Sequence, residues 1–335
     1  LTRIAILGGG AIGSVFGAYL SRAGEDVTLI GRPQQVRAIL ENGLIVEAAS
    51  GSFTCRLAAA EKLQFNPDVA FLTVKSQDVL RVLEENRGSL HQALVITCQN
   101  GVRSDDMAST ILARQQILSA VVNISATYLD PGRVTVVYPG TLVIGRPFAE
   151  LDDPARELGT LLSSVAPTTV SANIRGAHWL KLLFNLNNAF PALLNMSLHH
   201  VYRVPYMRAL AVRVIREGLR TVGRAGIRLE SLPEVSVGLF RLLAILPLPV
   251  ASLLVAMRAR RIASRWPLLG STLQSIRRGR PSEIDFLNGE IVRLGHDVRE
   301  PTPLNAALVG MVHHVERSAA FLTIDQLRGR IKGDS

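Results

Sequence analysis

Cysteine is almost absent from this chain: two residues, Cys55 and Cys98, among 335. Two cysteines build neither a disulfide framework nor a zinc spacing. Both stand in strand-like stretches, where a thiol reads as a small buried hydrophobe. No metal is expected. His199-His200 and His313-His314 are poor ligand pairs, because adjacent helical residues point about 100° apart; they read as surface or capping residues. Aromatic residues are also scarce, 5% of a chain that is 48% hydrophobic, so the core should be built from Leu, Val, Ile and Ala. Acidic residues are outnumbered 27 to 37 by Lys and Arg, which leaves a net charge of +10. Such an excess suits anionic partners of several kinds. Nucleic acid is not the expected one, since no basic stripe interleaved with aromatics, zinc finger or RNA-recognition strand accompanies it. The arginines at Arg258, Arg260, Arg261, Arg265, Arg277, Arg278 and Arg280 read as a solvated helix face.

Long apolar runs are nearly missing too. The exception, residues 235–257, is long enough to span a bilayer. Arg241 lies inside it, and Leu246-Pro247-Leu248-Pro249 breaks its middle. It reads as two helical segments, buried or partly exposed, and no membrane partner is expected. No targeting peptide is evident, since the first strand begins almost at once; a cytoplasmic location is the resulting expectation.

What is present is a strong alternation of strand and helix. Arg3-Ile4-Ala5-Ile6-Leu7 reads as a buried strand. Residues 11–23 have helical spacing and end at Gly24, a C-terminal cap. Val27-Thr28-Leu29-Ile30 is the next strand, and Pro33 opens the helix after it. Two alternating runs flank Ser50-Gly51-Ser52 and predict a hairpin. Strands recur at 69–74, 93–97 and 117–122, and a smaller β-rich part follows with turns at Asp130-Pro131-Gly132 and Pro139-Gly140. From about Asn173 helical periodicity takes over. The expected fold is therefore an α/β Rossmann-type N-terminal domain with a parallel sheet, followed by an all-α C-terminal domain. Residues 1–171 form the first and 172–335 the second, packed directly with a ligand cleft between them.

Gly8-Gly9-Gly10-Ala11-Ile12-Gly13 satisfies G-x-G-x-x-G between the first strand and the first helix, the context that gives the pattern meaning. Gly8 makes the tight turn. Gly10 lets the backbone approach a pyrophosphate. Gly13 lets the helix lie close on the strand. The amino end of the helix, at Ala11 and Ile12, offers free N–H groups to the anion. An enzyme for NAD usually ends its second strand with Asp or Glu. This chain has Gly31-Arg32, and a guanidinium pairs with a 2′-phosphate and stacks on adenine. The cofactor indicated is NADPH. Lys75, after the 69–74 strand, and Asn100, in Gln99-Asn100-Gly101, stand at the same carboxyl edge, although a solvated lysine and a plain Asn-Gly turn would look alike.

In the helical half, Lys181 and Asn185 are four apart and share a helix face that is otherwise apolar. A lysine there costs free energy unless it is partnered, a cost that functional sites accept; a snorkelling lysine is the other reading. Farther on, Ser271-Thr272-Leu273-Gln274 precedes Glu283-Ile284-Asp285-Phe286-Leu287-Asn288-Gly289. Ser282 could cap a helix there with Glu283 and Asp285 in its first turn.

Taken in order, these motifs resemble the ketopantoate reductase (2-dehydropantoate 2-reductase) family over essentially the whole chain. The likeness lies in the glycine turn, Arg32, Val74-Lys75-Ser76, Gln99-Asn100-Gly101, Trp179-x-Lys181-x-x-x-Asn185, Ser271-x-Leu273-Gln274 and Glu283-Ile284-Asp285-x-Leu287-Asn288-Gly289. The resemblance implies a helical domain serving substrate and dimerisation, a monomer or homodimer, and hydride transfer from NADPH to the C2 carbonyl of a 2-oxo acid, in the route to pantothenate and coenzyme A. It implies Lys181 as general acid, with Glu283 orienting it and touching substrate. Asn100, Asn185, Asn188 and Ser271 match substrate positions, and Gly8, Gly10, Ala11, Ile12, Gly13, Arg32, Lys75 and Asn100 match cofactor positions. There are two departures. The family often carries a second substrate-binding Asn two turns beyond the lysine; here that position is Ala189, preceded by Asn187 and Asn188. The 235–257 segment is also unusually apolar, as a larger and greasier pocket would be. A reductase of a bulkier oxo compound and a non-catalytic NADPH sensor are the other readings.

Overall fold

The computed structural model describes residues 2–128, 130–263 and 270–333. Its backbone divides into two compact units, Leu1–Ala177 and His178–Ser335.

The first unit is laid down as β1 (Arg3–Leu7), α1 (Ala11–Arg22), β2 (Asp26–Ile30), α2 (Pro33–Asn42), β3 (Leu44–Ala48), β4 (Gly51–Cys55), β5 (Ala58–Ala60), β6 (Val69–Leu72), α3 (Val79–Asn86), β7 (Leu94–Thr97), α4 (Ser104–Ala108), β8 (Ile117–Val122), β9 (Ser125–Thr127), β10 (Arg133–Tyr138), β11 (Leu142–Gly145), α5 (Asp153–Leu162) and β12 (Thr168–Val170). The main sheet runs β12-β11-β8-β7-β6-β1-β2-β5. Its neighbours pair in parallel, except that β11 runs antiparallel to β8. The strands are apolar on both sides because both faces are covered. Along β1, Ile4 and Ile6 join one core with Phe16, Leu29 and Phe71, while Ala5 and Leu7 join another with Leu72 and Val95. Period-two alternation thus feeds two cores from one strand. Phe16 and Phe71 meet edge to face at 5.4 Å.

The hairpin expected around Gly51 is β3–β4, antiparallel from Leu44↔Cys55 to Ala48↔Gly51. It is not a separate feature. β3 pairs in parallel with β10, and β10 with β9, to give a second sheet ordered β4-β3-β10-β9. This sheet lies over α1, with Tyr19 edge-on to Phe53 at 5.4 Å. Both cysteines are buried.

The second unit is helical. The division falls within α6 (Ile174–Asn185), which continues as a 3₁₀ turn over Leu186–Asn188. Next come α7 (Ala189–Leu194), α8 (Leu198–Val201), α9 (Pro205–Arg224), α10 (Val237–Ile245), α11 (Leu248–Ala263), α12 (Ser271–Arg277), α13 (Asn288–Val298), α14 (Pro303–Ser318) and α15 (Ile324–Gly333). The long α9 is the hub, packed by α10, α11, α13 and α14. Its Gly218 is required by close approach: a Cβ there would stand 2.7 Å from Leu183 and 2.9 Å from Leu186. α6 can therefore lie directly on it. Buried Glu217 accepts from the backbone N–H groups of Leu304 (3.0 Å) and Asn305 (2.8 Å), satisfying the first turn of α14.

Segment 235–257 divides into α10 and α11 around the Pro247 break. Among the described residues no helix is long and apolar enough to cross a membrane. Arg265, one of the clustered arginines, lies outside the described residues. Arg277, Arg278 and Arg280 are exposed as expected, Arg277 donating to Asn195 Oδ1 at 2.7 and 2.9 Å, whereas half-buried Arg258 donates to the Glu234 carbonyl.

Candidate active site

In the first unit the chain crosses over between β1 and β6. From β1 it winds outward to β2 and β5, then returns to the other side of β1 at β6. Ligands bind at the carboxyl ends of strands at such a switch point. The glycine turn sits there. Gly8 has φ of +124°, and a Cβ on it would strike the Val74 backbone N at 2.8 Å. A Cβ on Gly13 would fall 1.9 Å from the Gly8 carbonyl oxygen, so α1 touches the turn it leaves. Gly10, the N-cap of α1, has nothing within 4 Å of its Cβ position. The turn is closed beneath and open in front of the helix. Ala11 and Ile12 begin α1 at that opening, and a pyrophosphate needs this cradle.

Four polar side chains to which the sequence assigned no individual task hold this edge. Thr73 donates to the carbonyls of Leu7 (3.2 Å) and Gly8 (2.8 Å). Gln35 donates to Ser14 at 3.2 Å and accepts from the Gly132 N–H at 2.7 Å, tying α2 to α1 and to the turn before β10. Gln99 donates to the carbonyls of Leu72 (2.6 Å) and Val74 (2.9 Å), and Ser76 to that of Asn100 (3.2 Å). The loops bearing Lys75 and Asn100 are thereby fastened side by side. Register with β1 brings Gly31 beside Gly9, and exposed Arg32 follows as the N-cap of α2. Asp105 is buried behind this edge, accepting from Thr97 (2.5 Å) and Ser119 (2.8 Å). Burial pushes its carboxyl up to about 6 against those hydrogen bonds.

In the second unit, Lys181 is half-buried one turn before buried Asn185. Beyond Asn185 the helix tightens to 3₁₀, in which residues three apart eclipse. Asn188 therefore falls on the face of Asn185 and donates to its Oδ1 at 3.3 Å. Asn187 turns instead to the buried Tyr202 hydroxyl, whose pKa burial raises, and Ala189 lies in the core. Ser271 opens α12 beside this turn: a Cβ on Gly270 would stand 3.6 Å from Asn188 Oδ1.

Glu283 lies half-buried at the start of a 3₁₀ turn, Ile284–Phe286. The α-helix expected at Ser282 begins only at Asn288; Ser282 Oγ accepts from the Ile284 N–H at 3.3 Å, capping the 3₁₀ turn. Asn288 donates to the Leu186 carbonyl (3.2 Å) and to Asn305 (2.9 Å), which joins the Glu283 segment to the Asn185–Asn188 turn. His313 is not a simple surface residue. Its ring stands between Asp285 Oδ1 (2.9 Å) and Glu316 Oε2 (3.0 Å). His200 is not itself a cap: Ser197 caps α8 by accepting from the His200 N–H at 3.4 Å, and the His200 ring stands against the same hydroxyl, Nδ1 at 2.7 Å.

Two family models match in tandem, ketopantoate reductase PanE/ApbA over residues 4–147 and its C-terminal counterpart over 173–316. The chain belongs to the ketopantoate reductase family. A 2-dehydropantoate 2-reductase of Pyrococcus horikoshii is 28% identical over 314 residues, 92% of this chain and 96% of that protein. The PanE/ApbA family ketopantoate reductase of Ralstonia eutropha is 30% identical, with a TM-score of 0.79 over 94% of this chain and 98% of that one. The fold is shared with a D-mandelate dehydrogenase in ternary complex with NADH and anilino(oxo)acetate, at 22% identity, a TM-score of 0.82, and 94% and 99% coverage. The N-terminal α/β sheet and helical remainder are thus those of the ketopantoate reductase family.

Proposed function

We propose that this chain reduces ketopantoate (2-dehydropantoate) to pantoate with NADPH. A cytoplasmic setting, in the route to pantothenate and coenzyme A, belongs to the same reading; the two buried thiols fit it. The observation that carries the reading is the run Lys181–Asn185–Asn188 on one helix face. Beside it lie the amino end of α12 and, through Asn288, the Glu283 turn. The relatives named 2-dehydropantoate 2-reductase match this chain across both units.

The unit within 1–171 takes the nucleotide. The cradle fits it: Gly10 leaves the front of α1 open, and Gly8 and Gly13 close the turn beneath. Gly8, Gly10, Ala11, Ile12 and Gly13 receive the pyrophosphate, and Arg32 pairs with the 2′-phosphate. Lys75 and Asn100 serve the nicotinamide end. When bound, NADPH supplies hydride for the C2 carbonyl. The unit within 172–335 takes the oxo acid. Lys181 stabilises the developing alkoxide and delivers the proton to its oxygen. Glu283 orients the ammonium. Asn185, Asn188 and Ser271, with Asn100, bind the carboxylate and hydroxyl of the substrate. Asn188, seven residues after Lys181 and so on its face, supplies the second amide that Ala189 does not.

The test is consumption of NADPH with ketopantoate and a panel of bulkier 2-oxo acids. Ketopantoate should be the best substrate, and Lys181→Ala should cut kcat by about 10²–10⁴. Turnover confined to a bulkier acid would replace the substrate and keep the chemistry. Tight NADPH binding with no turnover on any acid would favour a sensor.

A further inference from the structure

Both ring nitrogens of His313 face carboxylate oxygens. Nε2 is 2.9 Å from Asp285, and Nδ1 is 3.0 Å from Glu316. The other oxygen of Glu316 accepts from the Ser282 backbone N–H at 2.7 Å. Ser282 and Asp285 bracket Glu283. Two side chains of α14 therefore grip the short turn on either side of that carboxylate. Within the turn, the Phe286 N–H donates to the Glu283 carbonyl at 2.9 Å. Its far end is fixed by Asn288 on the Leu186 carbonyl and on Asn305 of α14.

We propose that His313 and Glu316 are positioning residues that hold the Glu283 carboxylate in its working place, and that they do so through the doubly protonated imidazolium ring. The inference rests on the reading of Glu283 given above. The protonation requirement follows from geometry. An ionised carboxylate only accepts hydrogen bonds. A neutral imidazole has one N–H, so one of the two contacts would set a lone pair against a carboxylate oxygen. Only the cation donates in both directions. The charged groups that face the ring are Asp285, from the turn, and Glu316, from its own helix. Burial pulls the ring pKa down, but hydrogen bonds and charge from these two carboxylates outweigh it, and the net shift is upward. Glu316 moves the other way: burial raises its pKa, and Ser282 and His313 together bring it below the usual carboxylate range. The grip is therefore complete below the ordinary histidine range. It loosens as pH rises through the raised pKa of His313.

The experiment is steady-state ketopantoate reduction from pH 5.5 to about 9 by wild type, Glu283→Gln, His313→Gln, His313→Lys and Glu316→Gln, with melting temperature recorded for each. His313→Gln should lose about ten- to a hundredfold in kcat, the scale of a misplaced reacting group, and keep the wild-type KM for NADPH. The wild-type profile should show kcat falling as His313 deprotonates, and His313→Gln should lack that limb. His313→Lys, which keeps the charge, should recover part of kcat with a profile flat across the histidine range. Wild-type kcat and an unchanged pH profile in His313→Gln, with Glu283→Gln impaired, would overturn the proposal and leave the catalytic reading standing. Wild-type kcat in Glu283→Gln would overturn the catalytic reading itself. Should His313→Gln fail to fold, the wild-type limb and Glu316→Gln decide: no limb and no loss of kcat refute the clamp.

Discussion

Replacing Gly10 and Gly13 by alanine should separate the two tasks of the glycine turn. A Cβ at residue 13 would lie 1.9 Å from the Gly8 carbonyl oxygen and 2.6 Å from Thr73 Oγ1. Real Cβ atoms keep about 3.0 Å or more from such neighbours. The obstacle is backbone, so α1 must draw back by roughly 1 Å from the turn. Overpacking of this kind costs about 1–3 kcal/mol, and a backbone obstacle places it near the top of that range. At about 2–4 °C per kcal/mol for a unit of this size, Gly13→Ala should melt roughly 6–12 °C lower. Gly10 has φ −79° and ψ −165°, a conformation open to alanine, and its Cβ would touch nothing. Its stability cost is that of a poorer cap, about 1 kcal/mol or less. The added methyl, however, stands in front of α1, where the anion must approach. NADPH at a hundredfold its Kd stabilises by about 2.7 kcal/mol, roughly 5–11 °C on the same conversion. Gly10→Ala should lose most of that shift. Thermal melts of each variant with and without NADPH measure both effects. A Gly13→Ala variant that melts with wild type, or a Gly10→Ala variant that keeps the full NADPH shift, would refute the assignment.

Two further outcomes follow from the same unit. Arg32→Ala should raise the NADPH KM while sparing NADH; an equal effect on both would exclude the 2′-phosphate contact. Asp105 has a folded pKa of about 6, above its unfolded value, because burial opposes its charge. Between its unfolded pKa and about 6 the folded state holds a proton that the unfolded state has released. Wild-type stability therefore falls as pH rises through this window, by about 3 kcal/mol at most. Asp105→Asn keeps an acceptor for Thr97 and Ser119 without the charge. Its stability relative to wild type should rise from pH 4 to about 7 in urea titrations; a pH-independent difference would show that the carboxyl carries no burial penalty.

Local pattern made much of the molecule legible. Apolar runs bounded by turn residues marked β1, β2, β6, β7 and β8. The glycine spacing marked the cradle because each glycine answers a local steric demand. Lys181 and Asn185 were visible because four residues make one helical turn. The contacts that hold the site were not visible. Gln35, Thr73 and Gln99 are ordinary polar residues whose partners lie 21 to 97 positions away. His313 reaches Asp285 across 28 positions, and Glu316 reaches Ser282 across 34. Glu316 is one turn on in the same helix as His313, but nothing local marks Asp285 as the ring's other partner.

The sequence by itself determined the succession of an α/β half and a helical half, the glycine turn with Arg32 after it, and the lysine-bearing helix. Those depend on periodicity and on contacts within a few residues. The tertiary structure decided which strands pair, so that β3–β4 joined β10 in one sheet. It also decided the tighter pitch of the chain after Asn185 and the partners there, Asn188 on Asn185 and Asn187 on Tyr202. A 3₁₀ turn and an α-helical turn have similar local propensities. The choice between them is made by what packs around the turn: α9 at Gly218 on one side, and Asn288 on the Leu186 carbonyl on the other.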